Sequence, residues 1–128
     1  MSIRIVQLGS PRLAGEGLRI GTVRRPPRGV PKADFARRDF YDVWLPILSP
    51  SPELVTQALA VSTDAEWRKV ARKIHSELDS GEAGKVLDLL AALSATADFS
   101  VGCYCQDENR CHRSVLRQLL ADRGATMA

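Results

Sequence analysis

Short alternating stretches of apolar and polar residues open the chain and indicate β-strands. The stretch "SIRIVQLGSP" alternates until Gly9 and Pro11 interrupt it, and "GLRIGTV" then places Leu18 and Ile20 on one face. The pattern predicts two strands near the N-terminus, joined by a loop that contains glycine.

From residue 51 onward, the spacing of the apolar residues becomes helical. Ser51 followed by Pro52 is typical of a helix start and predicts a short helix through Leu59. Thr63 and Glu66 have the spacing of a capping box and open a second helix. Its predicted apolar face consists of Trp67, Val70, Ala71, Ile74 and Leu78, and a third helix follows with Val86, Leu87, Leu90 and Leu93.

The C-terminal part returns to alternation and then ends in a helix. In "DFSVGCYC" the residues that share one face of the predicted strand are Phe99, Val101, Cys103 and Cys105. A polar turn, "QDEN", separates this strand from a helix that runs from about Cys111 to Arg123. This order of elements predicts an α/β fold in a single domain over residues 1–128, with a small, mostly parallel or mixed sheet flanked by helices.

Composition supports one globular domain in a reducing compartment. The 128 residues are enough to bury a core, and no apolar run approaches the ~20 residues that span a bilayer. The three cysteines fall within nine residues, which favours free thiols and a cytoplasmic location over a disulfide framework. A net charge of +3 is too small to indicate nucleic-acid binding.

The stretch "CYCQDENRCHR", residues 103–113, holds all three cysteines and one of the two histidines. A strand, a turn and a helix start form the kind of junction where α/β proteins collect ligands, because helix amides point outward there. Arg113 and His112 are therefore candidates to bind an anion. The arginines of the proline-rich loop "RRPPRGVPK", which are Arg24, Arg25 and Arg28, either close over that site or form a solvated surface.

Two other kinds of site remain open for the same stretch. Cys103, Cys105, Cys111 and His112 are ligand types that suit zinc, but C-x-C in a strand is a poor knuckle, and adjacent helical residues diverge by ~100°. We therefore assign no metal ligand, and the sequence does not identify a cofactor. Alternatively, Cys111 beside His112 is a candidate thiol nucleophile, Cys105 is a possible partner for oxidation, and Cys103 is a small core residue.

Three segments of the chain resemble the domain-of-unknown-function 488 family of bacterial and archaeal proteins. They are the basic loop "RRPPRGVPK", the segment "YDVWLPILSPSPEL" and the closing pattern "CYCQDENRCHRSVLRQLL". The first departs from the more familiar branch, in which a Trp-Pro-Arg-Gly run is usual. The resemblance implies a compact cytosolic α/β domain and no established activity. It also implies that the site positions are Cys105, Cys111, His112, Arg113 and Arg28.

These observations lead to one expectation and one alternative. We expect the chain to bind an anionic or phosphate-bearing small molecule or nucleotide at the Cys-His-Arg site, and we leave open whether it also acts on that ligand. In that case Cys111 and His112 are the catalytic candidates. The ligand-binding candidates are Arg113, Arg28, Arg24, Arg25 and Cys105. The alternative is a non-catalytic zinc-binding or redox-sensing thiol module, and neither reading requires a membrane.

Overall fold

A parallel four-stranded sheet forms the centre of the protein. The computed structural model describes residues 1–128, and the strands are β1 (Ile3–Gln7), β2 (Leu18–Gly21), β3 (Val43–Trp44) and β4 (Phe99–Cys103). Their order in the sheet is β1-β4-β2-β3, and every neighbouring pair is parallel. The α/β prediction is therefore confirmed, and the sheet is wholly parallel. The two-residue edge strand β3 was not predicted.

Four helices accompany the sheet. Three of them, α1 (Pro52–Ala60), α2 (Asp64–Leu78) and α3 (Gly81–Leu93), connect β3 to β4, and α4 (His112–Asp122) follows β4. The predicted start of α2 is confirmed, because the backbone N–H of Glu66 donates to Thr63 Oγ1 at 3.1 Å. None of these helices combines the length and the apolar character needed to cross a membrane.

The main core lies between one face of the sheet and the helices. Ile20 of β2 and Phe99 and Val101 of β4 are buried there. The apolar face predicted for α2 is buried at four of its five positions, with Ala71 partly exposed. Burial of these side chains is the main favourable contribution to folding, at roughly 25 cal/mol for each Å² of apolar surface removed from water.

A second, smaller apolar cluster lies where β1, β2 and β4 end. Leu8 follows β1, Val23 lies just after β2 and Cys103 closes β4, and Tyr41 and Cys111 complete the cluster. The ring of Tyr41 packs so closely on Gly21 that a β-carbon at residue 21 would lie 2.4 Å from Tyr41 Cδ2. This cluster occupies the carboxyl edge of the sheet and carries two of the three cysteines.

Candidate functional site

The junction between β4 and α4 brings the three cysteines together. Strand β4 ends at Cys103, the chain bends at Tyr104, and a short turn of 3-10 helix over Glu108–Arg110 leads to α4. Cys103 Sγ lies 3.7 Å from Cys105 Sγ, and no disulfide is formed. The ligand atoms of Cys103, Cys111 and His112 all lie within 4.8 Å of one another.

Cys111 and His112 point toward each other although they are adjacent in sequence. The sequence argument against a shared site assumed that both residues are helical. Cys111 instead has extended backbone angles, φ −131° and ψ 152°, because it is the N-cap of α4. A residue outside the helix does not follow the ~100° rotation per residue. As a result, Cys111 Sγ lies 3.8 Å from His112 Nδ1.

The imidazole of His112 is held by Thr22, which directly follows β2. His112 Nε2 lies 2.7 Å from the carbonyl oxygen of Thr22, and a carbonyl can only accept, so Nε2 carries the proton. Nδ1 is therefore the nitrogen that faces the thiol of Cys111. Thr22 is itself fixed, because its hydroxyl donates to the Gly102 carbonyl at 2.9 Å.

Arg113 has a different position from the one expected of an anion ligand. Its side chain is 3% exposed, and one of its terminal nitrogens donates to the carbonyl oxygen of Cys105. Its Nε is buried without a partner. Arg113 therefore lies beneath the turn at Cys105 and fixes that backbone, and it does not face open space.

The thiols perturb one another through hydrogen bonds. The bond from Cys103 lowers the pKa of Cys105, and a bond from Cys111 and the positive charge of Arg113 lower it further. The same bond to Cys105 raises the pKa of Cys103. The pKa of Cys111 is lowered by its bond with Cys103 and by His112. Negative charge in the cluster is therefore favoured on Cys105, the most exposed of the three thiols.

The cysteines and His112 form one side of a cavity of about 420 Å³, which we call the thiol cavity. Its opposite wall is apolar and comes from α1 and α2, through Val55, Ala58, Leu59 and Ile74. The charged residues that line it are all arginines: Arg24, Arg25 and Arg110. No carboxylate lines the cavity, so its charged groups are all positive.

The proline-rich loop contributes only some of its arginines to this cavity. Arg24 donates to the Pro50 carbonyl at 2.7 Å, whereas the exposed side chain of Arg25 has no hydrogen-bond or ion-pair partner. Arg28 is exposed but is not among the lining residues, and neither is Arg113. Of the predicted ligand-binding residues, Arg24, Arg25 and Cys105 therefore line the cavity. Arg28 and Arg113 do not.

Comparison with models of known protein families identifies the family of this chain. A family model described as "Active DUF488-N3 subclade" matches residues 3–124, which is nearly the whole chain. The chain belongs to the DUF488 family. No curated protein and no solved structure matches it. The match includes the basic loop, α1 and the Cys-His-Arg segment, so every residue that lines the thiol cavity falls within the DUF488 region.

Two parts of this DUF488 site were missed by sequence reasoning. Thr22, which holds His112, is completely buried, and α1 supplies the apolar wall. Residues at the carboxyl ends of neighbouring parallel strands meet at one edge of a sheet. That rule would have indicated Thr22 if the pairing of β2 with β4 had been known. Nothing in the sequence indicates that α1 faces the cysteines.

Proposed function

We propose that the thiol cavity binds an anionic or phosphate-bearing small molecule, such as a nucleotide. The observation that carries this proposal is the charge of the lining, which consists of three arginines and no carboxylate. Arginine presents a planar set of donors that suits phosphate and carboxylate groups. The volume of about 420 Å³ falls in the range of small-molecule sites.

Arg25 is the arginine best suited to hold the anion. Its side chain is free of other partners, whereas Arg24 is bonded to the backbone at Ser49 and Pro50, and Arg110 is paired with Asp64 at 2.7 Å. The backbone of Arg25 is nevertheless anchored, because its carbonyl accepts a bond from the Tyr104 hydroxyl at 2.9 Å. Because this backbone is already fixed, only the Arg25 side chain has to be ordered when a ligand binds, which limits the entropy lost.

The apolar wall indicates that the ligand has an apolar or aromatic part as well as its charge. Val55 and Leu59 face the cavity from α1, and Leu59 is 78% exposed, an unusual exposure for a leucine side chain. A nucleotide base or a similar ring placed against this wall would remove apolar surface from water. The phosphate would then lie toward Arg25.

If the protein acts chemically on this ligand, Cys111 and His112 are the residues that we assign to the reaction. The 3.8 Å contact between Cys111 Sγ and His112 Nδ1 suits transfer of the thiol proton to the imidazole. The Thr22 carbonyl would hold the ring in this orientation throughout. The description of the matching subclade as active agrees with such a role.

The test is a titration of ¹⁵N-labelled protein with inorganic phosphate, adenosine monophosphate and adenosine, followed by NMR. We expect saturable shifts of the amides of residues 24, 25 and 110–114 with the monophosphate, and weaker ones with phosphate alone. Arg25→Gln should weaken binding by about 10-fold to 100-fold, since a hydrogen bond to a charged group contributes about 1.5–3 kcal/mol.

Arg28→Gln is the matched control, because it removes an equal charge from the same loop outside the cavity. Its affinity should stay close to that of the wild type. Equal weakening by the two substitutions would contradict the proposal and indicate a nonspecific charge effect. Absence of any saturable shift with all three compounds would also overturn it.

A further inference from the structure

We propose that Cys103, Cys105, Cys111 and His112 form a zinc site at the base of the thiol cavity. This inference goes beyond the proposed function, because anion binding at Arg25 does not require a metal. It concerns the same cluster of side chains but different atoms from those that hold the anion. The argument depends on ligand type, on spacing and on how the imidazole is held.

The donor set is the one that zinc prefers. Three thiol sulfurs and one imidazole nitrogen make a Cys₃His set, which is a common structural zinc site. Soft sulfur donors also select against magnesium and calcium, which prefer oxygen ligands. No carboxylate lies among the residues that line this cavity to offer such oxygens.

The spacing of the donor atoms fits a tetrahedral ion. Zinc–sulfur bonds of about 2.3 Å place two tetrahedral sulfurs roughly 3.8 Å apart. Cys103 Sγ and Cys105 Sγ are 3.7 Å apart, and Cys111 Sγ and His112 Nδ1 are 3.8 Å apart. The donor atoms of Cys103, Cys111 and His112 also lie within 4.8 Å of one another. Cys105 lies outside that group of three, so its side chain has to move toward Cys111 and His112 before all four donors reach one ion.

The outer hydrogen bonds already hold the ligands in place. A metal-binding histidine usually donates its other N–H to a carbonyl or carboxylate, which fixes the ring and its tautomer. His112 Nε2 makes that bond to the Thr22 carbonyl at 2.7 Å and leaves Nδ1 toward the sulfurs. Arg113 binds the carbonyl of Cys105 and so fixes the backbone of the most exposed ligand.

Zinc and thiol chemistry would use the same sulfur atoms. A chain with zinc bound at all four ligands has no free Cys111 thiol to act as nucleophile, although Arg24 and Arg25 remain available to an anion. Metal binding would therefore leave anion binding intact and remove the reactivity of the thiols toward alkylating reagents. This difference separates the inference from the proposed function.

The experiment uses the full chain, reduced and freed of metal with a chelator, and titrates it with Co²⁺ and then with Zn²⁺. We expect one equivalent of Co²⁺ to produce the intense thiolate-to-cobalt charge-transfer absorption of a tetrahedral sulfur site, and Zn²⁺ to abolish it. Native mass spectrometry should show one zinc, with a dissociation constant below about 1 µM.

Variants then identify the ligands, with folding checked by circular dichroism. Cys105→Ser should retain one metal but lose roughly a third of the charge-transfer intensity, since one of three thiolates is gone. His112→Gln should weaken zinc binding at least 10-fold. His75→Gln is the control, because His75 lies on α2 outside the thiol cavity, and it should bind zinc like the wild type.

Two results would overturn the inference. In the first, the wild-type chain binds both Co²⁺ and Zn²⁺ more weakly than a dissociation constant of about 1 µM, or not at all. This result does not depend on whether any variant folds. The other is a charge-transfer absorption that is unchanged in a folded Cys105→Ser variant. Neither result bears on phosphate binding, which the NMR titration measures separately.

Discussion

At the scale of single residues, the ion pair of Glu16 and Arg19 joins parts of the chain that are distant in sequence. The side chains are 1% and 0% exposed, and Arg19 Nε lies 2.7 Å from Glu16 Oε2. The Ser100 hydroxyl also donates to Glu16, and Arg19 donates to the carbonyls of Ser10 and Asp39. With these bonds made, the pair connects β2 and β4 to two loops without an unmet charge.

This pair predicts a specific loss of stability in acid. Burial raises the pKa of Glu16, but the hydrogen bonds from Arg19 and Ser100 outweigh it and lower the pKa to about 2. A carboxyl whose folded-state pKa is lowered stabilises the protein fully above its unfolded-state pKa near 4.5, and this contribution is lost as the pH falls toward 2. We expect Glu16 to account for about 3 kcal/mol of the free energy of unfolding in this window.

Urea denaturation between pH 2 and pH 6 measures the effect. The double variant Glu16→Leu, Arg19→Met replaces both charges with apolar groups, so it avoids leaving one charge buried alone. Its stability should fall less steeply below pH 4.5 than that of the wild type. Glu82→Gln, in an exposed pair with Lys85, should leave the slope unchanged. Identical slopes in the wild type and the double variant would show that Glu16 is not responsible.

At the scale of elements, the two helix starts predicted from sequence differ in their capping. Thr63 caps α2, because its hydroxyl oxygen accepts the bond from the Glu66 N–H. Ser51 occupies the same position in α1, but its side chain makes no capping bond. Both sequences are typical of helix starts. Only the structure shows that Thr63 makes a capping hydrogen bond and that Ser51 does not.

We therefore predict different costs for two equivalent substitutions. Thr63→Ala should lower the free energy of unfolding by about 1 kcal/mol, whereas Ser51→Ala should lower it by less than about 0.5 kcal/mol. Chemical denaturation of the two variants, measured side by side, provides the comparison. Equal losses would mean that the hydrogen bond at Thr63 contributes no net stability.

The elements also show which parts of the fold the sequence could predict. Strands β1, β2 and β4 and all four helices follow from local periodicity and capping, which act over a few residues. Strand β3 has only two residues, too few to show a period. The position of β4 between β1 and β2 depends on contacts across more than 80 residues, as between Ile20 and Val101, and no local pattern contains that information.

At the scale of the whole molecule, this strand order creates the candidate site. Because β4 pairs with β2, Thr22 and Cys103 emerge at the same edge of the sheet, and α4 then begins with His112 against Thr22. The residues of the site could be predicted from the density of cysteine and histidine. Their partners could be predicted only in part, because the basic loop pointed to Arg25, whereas Thr22 reaches His112 and α1 reaches the cavity only through the three-dimensional arrangement.

The same arrangement explains why Arg113 and Arg28 do not share the role proposed for Arg25. A guanidinium at a helix start was expected to face a ligand, but Arg113 turns under Cys105 and binds its carbonyl. Arg28 belongs to the basic loop but is exposed and does not line the cavity. Charge in the sequence therefore predicted a basic site without predicting which arginines form it.

If reactive thiols and a free positive charge share one cavity, the charge of an alkylating reagent should affect its rate of reaction with the metal-free protein. The measurement compares the rates at which the anion iodoacetate and the neutral iodoacetamide alkylate Cys105, the most exposed thiol, with the site of reaction read by mass spectrometry. We predict that the ratio of the iodoacetate rate to the iodoacetamide rate is several-fold higher in the folded chain than in the urea-unfolded chain. Arg25→Gln should lower that ratio and Arg28→Gln should not. A ratio in the folded wild type no higher than in the unfolded chain, and unaffected by Arg25→Gln, would contradict the account.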